Sequence, residues 1–320
     1  MTGSLPQEVR DCFSQFITTE YTTIDARQQP IVWPVTPYYS DGKPCIDVST
    51  GVGYPKKADD AKRNPHVGLL FSDPTGSGID TGIQVLVQGT AEIDERDYDA
   101  NADRYFRESG EKLPATKKMQ PPAAIRRMLS WYYARIYVHV RPERVFVWAD
   151  GDMTKPPEVH DARLEEVRSG HSEEPAEPHA EVAGGAVRWD PRIDELGTRY
   201  PTAVLSWVGP DGFPLSVRLP VELDRERRRI VLGGEPAGLP LTTGRAVLVA
   251  HRHEEEFAWQ ENFQVRGDLV QDNGGWALIP HKLVGGFEIP KGFIARNRSI
   301  MSAHLRYRRT ARERMRRAPS

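Results

Sequence analysis

Alternating apolar and polar positions, interrupted at short intervals by glycine, proline and aspartate, mark this chain as a succession of β-strands. Thr22–Asp25 and Ile31–Tyr39 are two β-rich runs joined by Ala26–Pro30, and the turn Asp41-Gly42-Lys43-Pro44 leads into Cys45–Thr50. That pattern predicts a three-strand meander. A turn containing Gly51 and Gly53 follows, then a short helix from Ala58 to Arg63, closed by Asn64-Pro65 because proline pushes its predecessor out of the helical region. Val67–Phe71 is an apolar strand. Gly82–Ile93 is a long alternating one, in which Gly89 signals a bulge or a close backbone approach. After a helical insertion, Ala134–Val140 and Arg144–Trp148 supply the last strands of this half.

The second half repeats the order, and an internal repeat defines architecture more firmly than any single motif. Thr202–Val208, the turn Gly209-Pro210-Asp211-Gly212 and Phe213–Leu219 parallel Thr22–Val35, and Ile230–Gly233 is a further short strand. Val247–His251 after Gly244-Arg245-Ala246 parallels Val67–Phe71 after Asn64-Pro65-His66, and Phe263–Val270 with Arg266-Gly267 parallels Val87-Gln88-Gly89. The expectation is a first domain over 1–153, an acidic Pro/Glu/His linker over 154–184, a second β domain over 185–295 and a basic C-terminal helix or tail over 296–320.

Candidate chemistry gathers in the first half. Ser49 and Thr50 close a strand, a glycine turn follows, and Lys56 and Lys57 begin the next element. Hydroxyls, free backbone N–H groups and ammonium charges together are what a phosphate monoester needs. A solvated lysine pair in a surface turn is the plain alternative, and the surrounding order of strands weighs against it. The matching stretch of the second half, Gly238–Thr243, holds no Lys or Arg, so the corner is not rebuilt there.

The first half resembles the pyridoxamine 5′-phosphate oxidase-like family, the FMN-binding split barrels that include deazaflavin-dependent reductases. The matching landmarks are T-T-I-D-A-R-Q-Q-P-I at 22–31, V-x-P at Val35–Pro37, S-T at 49–50, the spacing Lys57…Asn64-Pro65…Val67, V-Q-G-T-A-E-I at 87–93 and R-I-Y-V-x-V-R-P-E-R-V at 135–145. The resemblance implies a mainly β fold with helices (α+β), built as two tandem split β-barrels that form an intramolecular pseudo-dimer. It implies one FMN site per chain, with Val35, Pro37, Ser49, Thr50, Lys56, Lys57, Gln88, Gly89 and Arg135 as cofactor-binding residues and the degenerate second barrel walling the ring. The function it implies is FMN-dependent oxidation or reduction of a small organic molecule. A deazaflavin on the same fold is the alternative cofactor, and a non-catalytic flavin- or haem-binding protein a third reading, in which haem is disfavoured. Arg296-Asn297-Arg298 only loosely echoes the C-terminal substrate motif of the oxidase that names the family. No side-chain triad, HExxH or Walker-type loop offers a competing chemistry, so the redox step is assigned to the cofactor.

Composition narrows the picture further. With 320 residues, 28% charged and no apolar run of about 18 residues, the chain reads as a cytoplasmic, non-membrane, two-domain protein, either a monomeric pseudo-dimer or a homodimer. Met1–Phe16 reads as an amphipathic helix, not a leader. Cys12 and Cys45 form neither a disulfide framework nor a CxxC site, and no metal site is expected. His160, His171 and His179 have no ligand spacing, and His251 and His253 precede an acidic run that suggests a solvated strand end. Trp131-Tyr132-Tyr133 could wall a ring or fill a core. The arginine-rich run Lys291–Arg317 sits in a chain of net charge −2, which argues for charge segregation and against nucleic-acid binding.

Overall fold

The computed structural model describes residues 5–113, 122–162, 184–272, 275–286 and 288–317. Helix α1 (Gln7–Gln15) precedes strands β1 (Thr19–Ile24), β2 (Pro30–Val35) and β3 (Ile46–Gly51), helix α2 (Lys56–Arg63), strands β4 (His66–Phe71) and β5 (Gln84–Asp94), and helix α3 (Tyr98–Lys112). Two short helices, Ala123–Met128 and Ser130–Tyr133, lead into β6 (Arg135–Trp148) and β7 (Glu158–Asp161). The second half holds β8 (Thr202–Val208), β9 (Pro214–Asp224), β10 (Arg229–Leu232), β11 (Gly244–His253), β12 (Gln260–Asp272) and β13 (Gly275–Gly285), and ends in a helix, Phe293–Arg317.

The first sheet runs β2-β1-β4-β5-β6-β3, with β7 added to β6, and the second half closes into a barrel, β10-β13-β12-β11-β8-β9. Strand for strand these orders are the same, β8 to β13 taking the places of β1 to β6. Even the bulge recurs: the register shifts between Gln88 and Gly89 and again between Arg266 and Gly267, with Gly89 opposite Pro142 and Gly267 opposite Pro280. A Cβ at either glycine would run into the facing strand, at the Arg141 or Ile279 carbonyl, which is why both positions are glycine. The chain is thus mainly β with helices, two split-barrel units in tandem. They differ at the seam, because β9 hydrogen-bonds β10 whereas no strand pairing joins β2 to β3 among the described residues.

Two sequence expectations need correction. The predicted meander is not formed: β3 leaves β2 and pairs with β6 at the opposite end of the sheet, with a Tyr38–Asp47 bridge linking it to the segment after β2. The predicted linker does not begin at residue 154, since β7 pairs with β6 from Arg144↔Asp161 to Val147↔Glu158. His160 lies on that strand, while His171 and His179 fall outside the described residues.

Strand periodicity divides the burial. Val67, Leu69 and Phe71 of β4 and Val85 and Val87 of β5 point into the core of the first half with Val9, Phe13, Phe16, Ile136 and Val138. Leu70 and Leu86, on the opposite face, pack with Val32 against Val204, Leu205, Trp207 and Val247 of the second half. The strands at the junction are therefore buried on both faces and read as nearly continuous apolar runs.

At the centre of that junction, Thr22 meets Ser206 (3.4 Å) and Ser216 (3.1 Å). Beside them Glu20, 0% exposed, accepts from Arg218 at 2.9 Å and from the Ser72 hydroxyl at 2.8 Å, and lies 2.6 Å from His251 Nε2. Asp73 stands 3.8 Å from His251 and 3.7 Å from His253, which lies 3.2 Å from Thr18. Both histidines are buried, so the solvated strand end expected from Glu254–Glu256 is also corrected: a charged clasp spans the two halves there. Burial alone would raise the Glu20 carboxyl, but the bond to His251, the Arg218 charge and the Ser72 hydroxyl outweigh it and leave it lowered. Asp73, likewise penalised by burial, is held down to about 2 by the facing cations. Burial lowers the His253 imidazole.

These shifts share one sign. The depressed carboxylates contribute stability that is complete above the ordinary carboxylate range and is lost as pH falls toward their folded values, about 2 for Asp73. His253 takes up its proton more readily when unfolded, which draws stability away below about pH 6.5. The urea midpoint should fall steadily from pH 7 to pH 3, and Glu20→Ala should cost roughly 3–5 kcal/mol at pH 7 by leaving Arg218 and His251 without their buried acceptor. A midpoint flat across that range, or a variant as stable as the parent, would remove the clasp from the account.

Candidate functional site

A cavity of about 270 Å³ opens between the two halves. From the first half it takes Trp33, Pro34 and Val35 of β2, Ser49 of β3, Tyr54, Lys57 of α2, Tyr105 of α3, and Trp131 to Tyr133 with Arg135 at the start of β6. The second half contributes Phe257, Ala258, Gln260 and Asn262 around β12, Glu288 to Pro290, and Arg296, Ser299 and Ile300 of the C-terminal helix.

Its cationic end is built by a tight corner. Val52 N donates to Ala134 O and Gly53 N to Trp131 O, so the turn after β3 is stitched to the start of β6. A Cβ at Gly53 would lie 2.9 Å from both Trp131 and Tyr307, which leaves room only for glycine. The Thr50 hydroxyl donates to Tyr54 O at 3.1 Å and holds the corner's shape without entering the cavity. Helix α2 starts here, and successive helical residues diverge by about 100°. Lys57 accordingly reaches the cavity, 5.8 Å from the Tyr54 ring centre, while Lys56 swings away to pair with Asp60 (2.8 Å) and Asp25 (3.7 Å).

Arg135 is 4% exposed and lies against the faces of Tyr105 (3.6 Å) and Tyr132 (4.5 Å), with its guanidinium 3.4 Å from the Tyr54 hydroxyl. Its Nε has no hydrogen-bond partner. Among the described residues neither Lys57 nor Arg135 is paired with a carboxylate, and Glu288, the acid of the cavity wall, is engaged by Arg192 at 3.0 Å. Burial, and then the Arg135 charge, push the Lys57 ammonium down to about 8. Two cations facing an aromatic hollow, with no acid between them among the described residues, are complementary in charge and shape to an anion attached to a planar ring.

Of the residues singled out in the sequence, the structure brings Val35, Ser49, Lys57 and Arg135 together around the cavity. It places the others elsewhere. The Pro37 carbonyl accepts from Lys112 at 2.6 Å, Gln88 is buried at the junction and donates to Pro214 O at 3.0 Å, and Gly89 forms the bulge. Sequence reasoning missed Trp33, Tyr54 and Tyr105, and although it expected the second half to wall the site it named none of the residues there that do so. The aromatic run at 131–133 is the signal that was present, and it serves as core and wall at once: Trp131 is buried, Tyr132 and Tyr133 only partly. His251 and His253 lie in the clasp and are not among the cavity residues.

No protein-family model matches the chain, and no curated protein matches it by sequence. Solved structures similar to it include an F420 reductase, 17% identical over 44% of this chain and 98% of that one with a TM-score of 0.35. Others are a pyridoxinephosphate oxidase family protein from Clostridium acetobutylicum (12% identity; 48% and 92% covered; TM-score 0.33) and the haem storage protein HutZ from Vibrio cholerae (15%; 47% and 96%; 0.32). No helix among the described residues is long and apolar enough to cross a membrane.

An amine whose folded value lies below its unfolded value weakens the fold while it is charged, and that loss is recovered as pH rises from about 8 toward the free lysine range near 10.4. Lys57→Met should therefore raise the melting temperature of the ligand-free protein at pH 7 and differ less from the parent at pH 10. A lower melting temperature at pH 7 would mean that the lysine's role is packing and not an uncompensated charge.

Proposed function

We propose that the chain is a flavin-dependent oxidoreductase of the pyridoxamine 5′-phosphate oxidase-like type, with FMN in the cavity between its halves and a small organic molecule as substrate. The observation that carries this reading is the pair Lys57 and Arg135, cations without a carboxylate at one end of an aromatic hollow. Lys57, Arg135 and the Ser49 hydroxyl would hold the phosphate. Trp33, Tyr54 and Tyr132 would flank the ring, and Gln260 and Asn262 would present polar groups to its edge. When bound, the flavin supplies the hydride chemistry. The chain's share is to neutralise the phosphate, fix the ring and exclude water by closing the second half over it.

A deazaflavin carrier is the second reading, and one feature favours it: the C-terminal helix adds a third cation, Arg296, to the cavity wall, where a longer anionic tail would find charge beyond the Lys57 and Arg135 pair. The haem reading has less support, because the two histidines that could ligate iron are occupied in the clasp.

The test is an absorption spectrum of freshly purified protein with mass identification of whatever is released on denaturation. Released FMN is the expected result; a deazaflavin selects the second reading, a Soret band the haem reading, and a protein that takes up none of them ends the proposal. Lys57→Met should weaken FMN binding by about 1.5–3 kcal/mol, the worth of a charge-assisted contact. In the parent, affinity should decline as pH rises above about 8, where Lys57 sheds its proton. Unchanged affinity in the variant would put the phosphate elsewhere.

A further inference from the structure

The first sheet carries a second group of chemistry-bearing side chains, none of which lines the cavity. Cys45 immediately precedes β3, Asp47 lies within it, and His139 faces Asp47 across the β3–β6 pair. Residues two apart on an extended segment share a face, and a cross-strand neighbour stands about 4.5–5.5 Å away, so a Cys-x-Asp step opposite a histidine gathers three donors. The thiol sulfur, a carboxylate oxygen and an imidazole nitrogen all lie within 4.8 Å of one another. Cys45 Sγ donates to Asp47 Oδ1 at 3.3 Å, and His139 Nδ1 lies 2.6 Å from that same oxygen. Asp47 is 2% exposed and forms the floor, while Cys45 and His139 are only partly buried and leave the group open to solvent.

We infer that Cys45, Asp47 and His139 form a binding site for a borderline-soft divalent cation of the zinc class. The donor set decides the class: sulfur and imidazole suit zinc, whereas magnesium and calcium call for oxygen donors. On binding, the cation takes the place of two protons, one from the Cys45 thiol and one shared between His139 Nδ1 and Asp47, and both pass to solvent. Arg104 holds the other oxygen of Asp47, Oδ2, and so fixes the carboxylate with Oδ1 turned toward the thiol and the ring. A bonded outer partner of this kind is the usual support of a ligating carboxylate. Water completes the coordination on the open side. The rival account is an ion-pair network of Asp47, Arg104 and His139 in which the thiol serves only as a hydrogen-bond donor to Asp47 and binds no metal. Because none of the three ligands touches the cavity, this site stands or falls independently of the flavin.

The probe is Co²⁺ added to the untagged full-length chain, followed by Zn²⁺. The expected result is a thiolate-to-cobalt charge-transfer band that saturates at one equivalent and is bleached by Zn²⁺. Cys45→Ser should lose the band, Cys12→Ser should keep it, and His139→Gln should weaken cobalt affinity at least about tenfold, no less than loss of an outer partner costs. A reading on the parent chain guards against variants that fail to fold: Zn²⁺ should slow alkylation of Cys45, located by peptide mass. Absence of the band, its survival in Cys45→Ser, or alkylation of Cys45 at the same rate with and without Zn²⁺ would each overturn the site.

Discussion

The junction between the two halves rests on a carboxylate that water does not reach. Glu20 sits on β1 of the first half with Arg218 of β9 and His251 of β11 closing on it from the second. Desolvating an acid and its cationic partners is unfavourable unless each lone pair is met, and here both carboxylate oxygens are. Such an arrangement is costly to break and tolerant of few positions, so it fixes where one barrel lies on the other. The apolar contacts of Leu70, Leu86 and Val32 with the second core supply attraction without that directionality. The cavity inherits its shape from the result, because both halves of the chain contribute to its wall.

A duplicated fold packed on itself would offer two equivalent cavities, and the described residues show why they are unlike. The place in the second half that corresponds to β3 and its corner is β10 and the loop after it. There Ala237 N donates to Met153 O, the Trp148 indole donates to Lys155 O at 3.1 Å, and Gly238 lies against Pro156 and Pro157. The first half's own segment between β6 and β7 fills that position, with Met153 and Leu239 buried in it. Charge is absent from Gly238–Thr243 as well as space. The closure of β9 on β10 and the missing pairing of β2 with β3 are the same asymmetry at the level of backbone: one unit seals its ring, and the other leaves its β2 and β3 edges apart beside the cavity, where Trp33 and Ser49 face it.

Strands were legible because their periodicity is a local property, and the glycine at 89 was legible because a bulge demands that residue whatever surrounds it. The repeat was legible through the same local marks appearing twice. Pairing was not: nothing in Ile46–Gly51 states that its partner lies some ninety residues on in β6 rather than beside it in β2. The pair Lys56-Lys57 read as one feature in a line of letters, and a helix starting at Lys56 turned it into two, a surface ion pair and a buried amine. His251 and His253 misled for a related reason, since Glu254–Glu256 promised solvent whereas the clasp's partners come from Glu20, Ser72 and Asp73, far off in sequence. Composition along one strand does not report charges that arrive from another.

The cationic corner is a source of instability that the neighbouring structure must offset, and the C-terminal helix is placed to do so. Lys57 is held near Arg135 without an acid, and Gly53 leaves no side chain of its own to fill the turn. Tyr307 stacks on Trp131 at 5.7 Å and meets Tyr54 edge-on at 5.5 Å, covering the corner from outside. One turn on, Ala311 is 1% exposed and Arg314 bonds Asp59 of α2 at 2.8 Å and Glu95 at 2.5 Å. These contacts are all to the first half, although the helix is the continuation of the second. The helix therefore straps the two units together at the site itself, and near its start the same element brings Arg296, Ser299 and Ile300 to the cavity. Stability and cavity lining are divided along one helix, with the end that locks the corner separate from the end that faces the cavity. A change at Arg314 should act on the corner through α2, whereas a change at Arg296 acts on the cavity's contents directly, and that separation is what lets a corner unfavourable on its own persist in the folded chain.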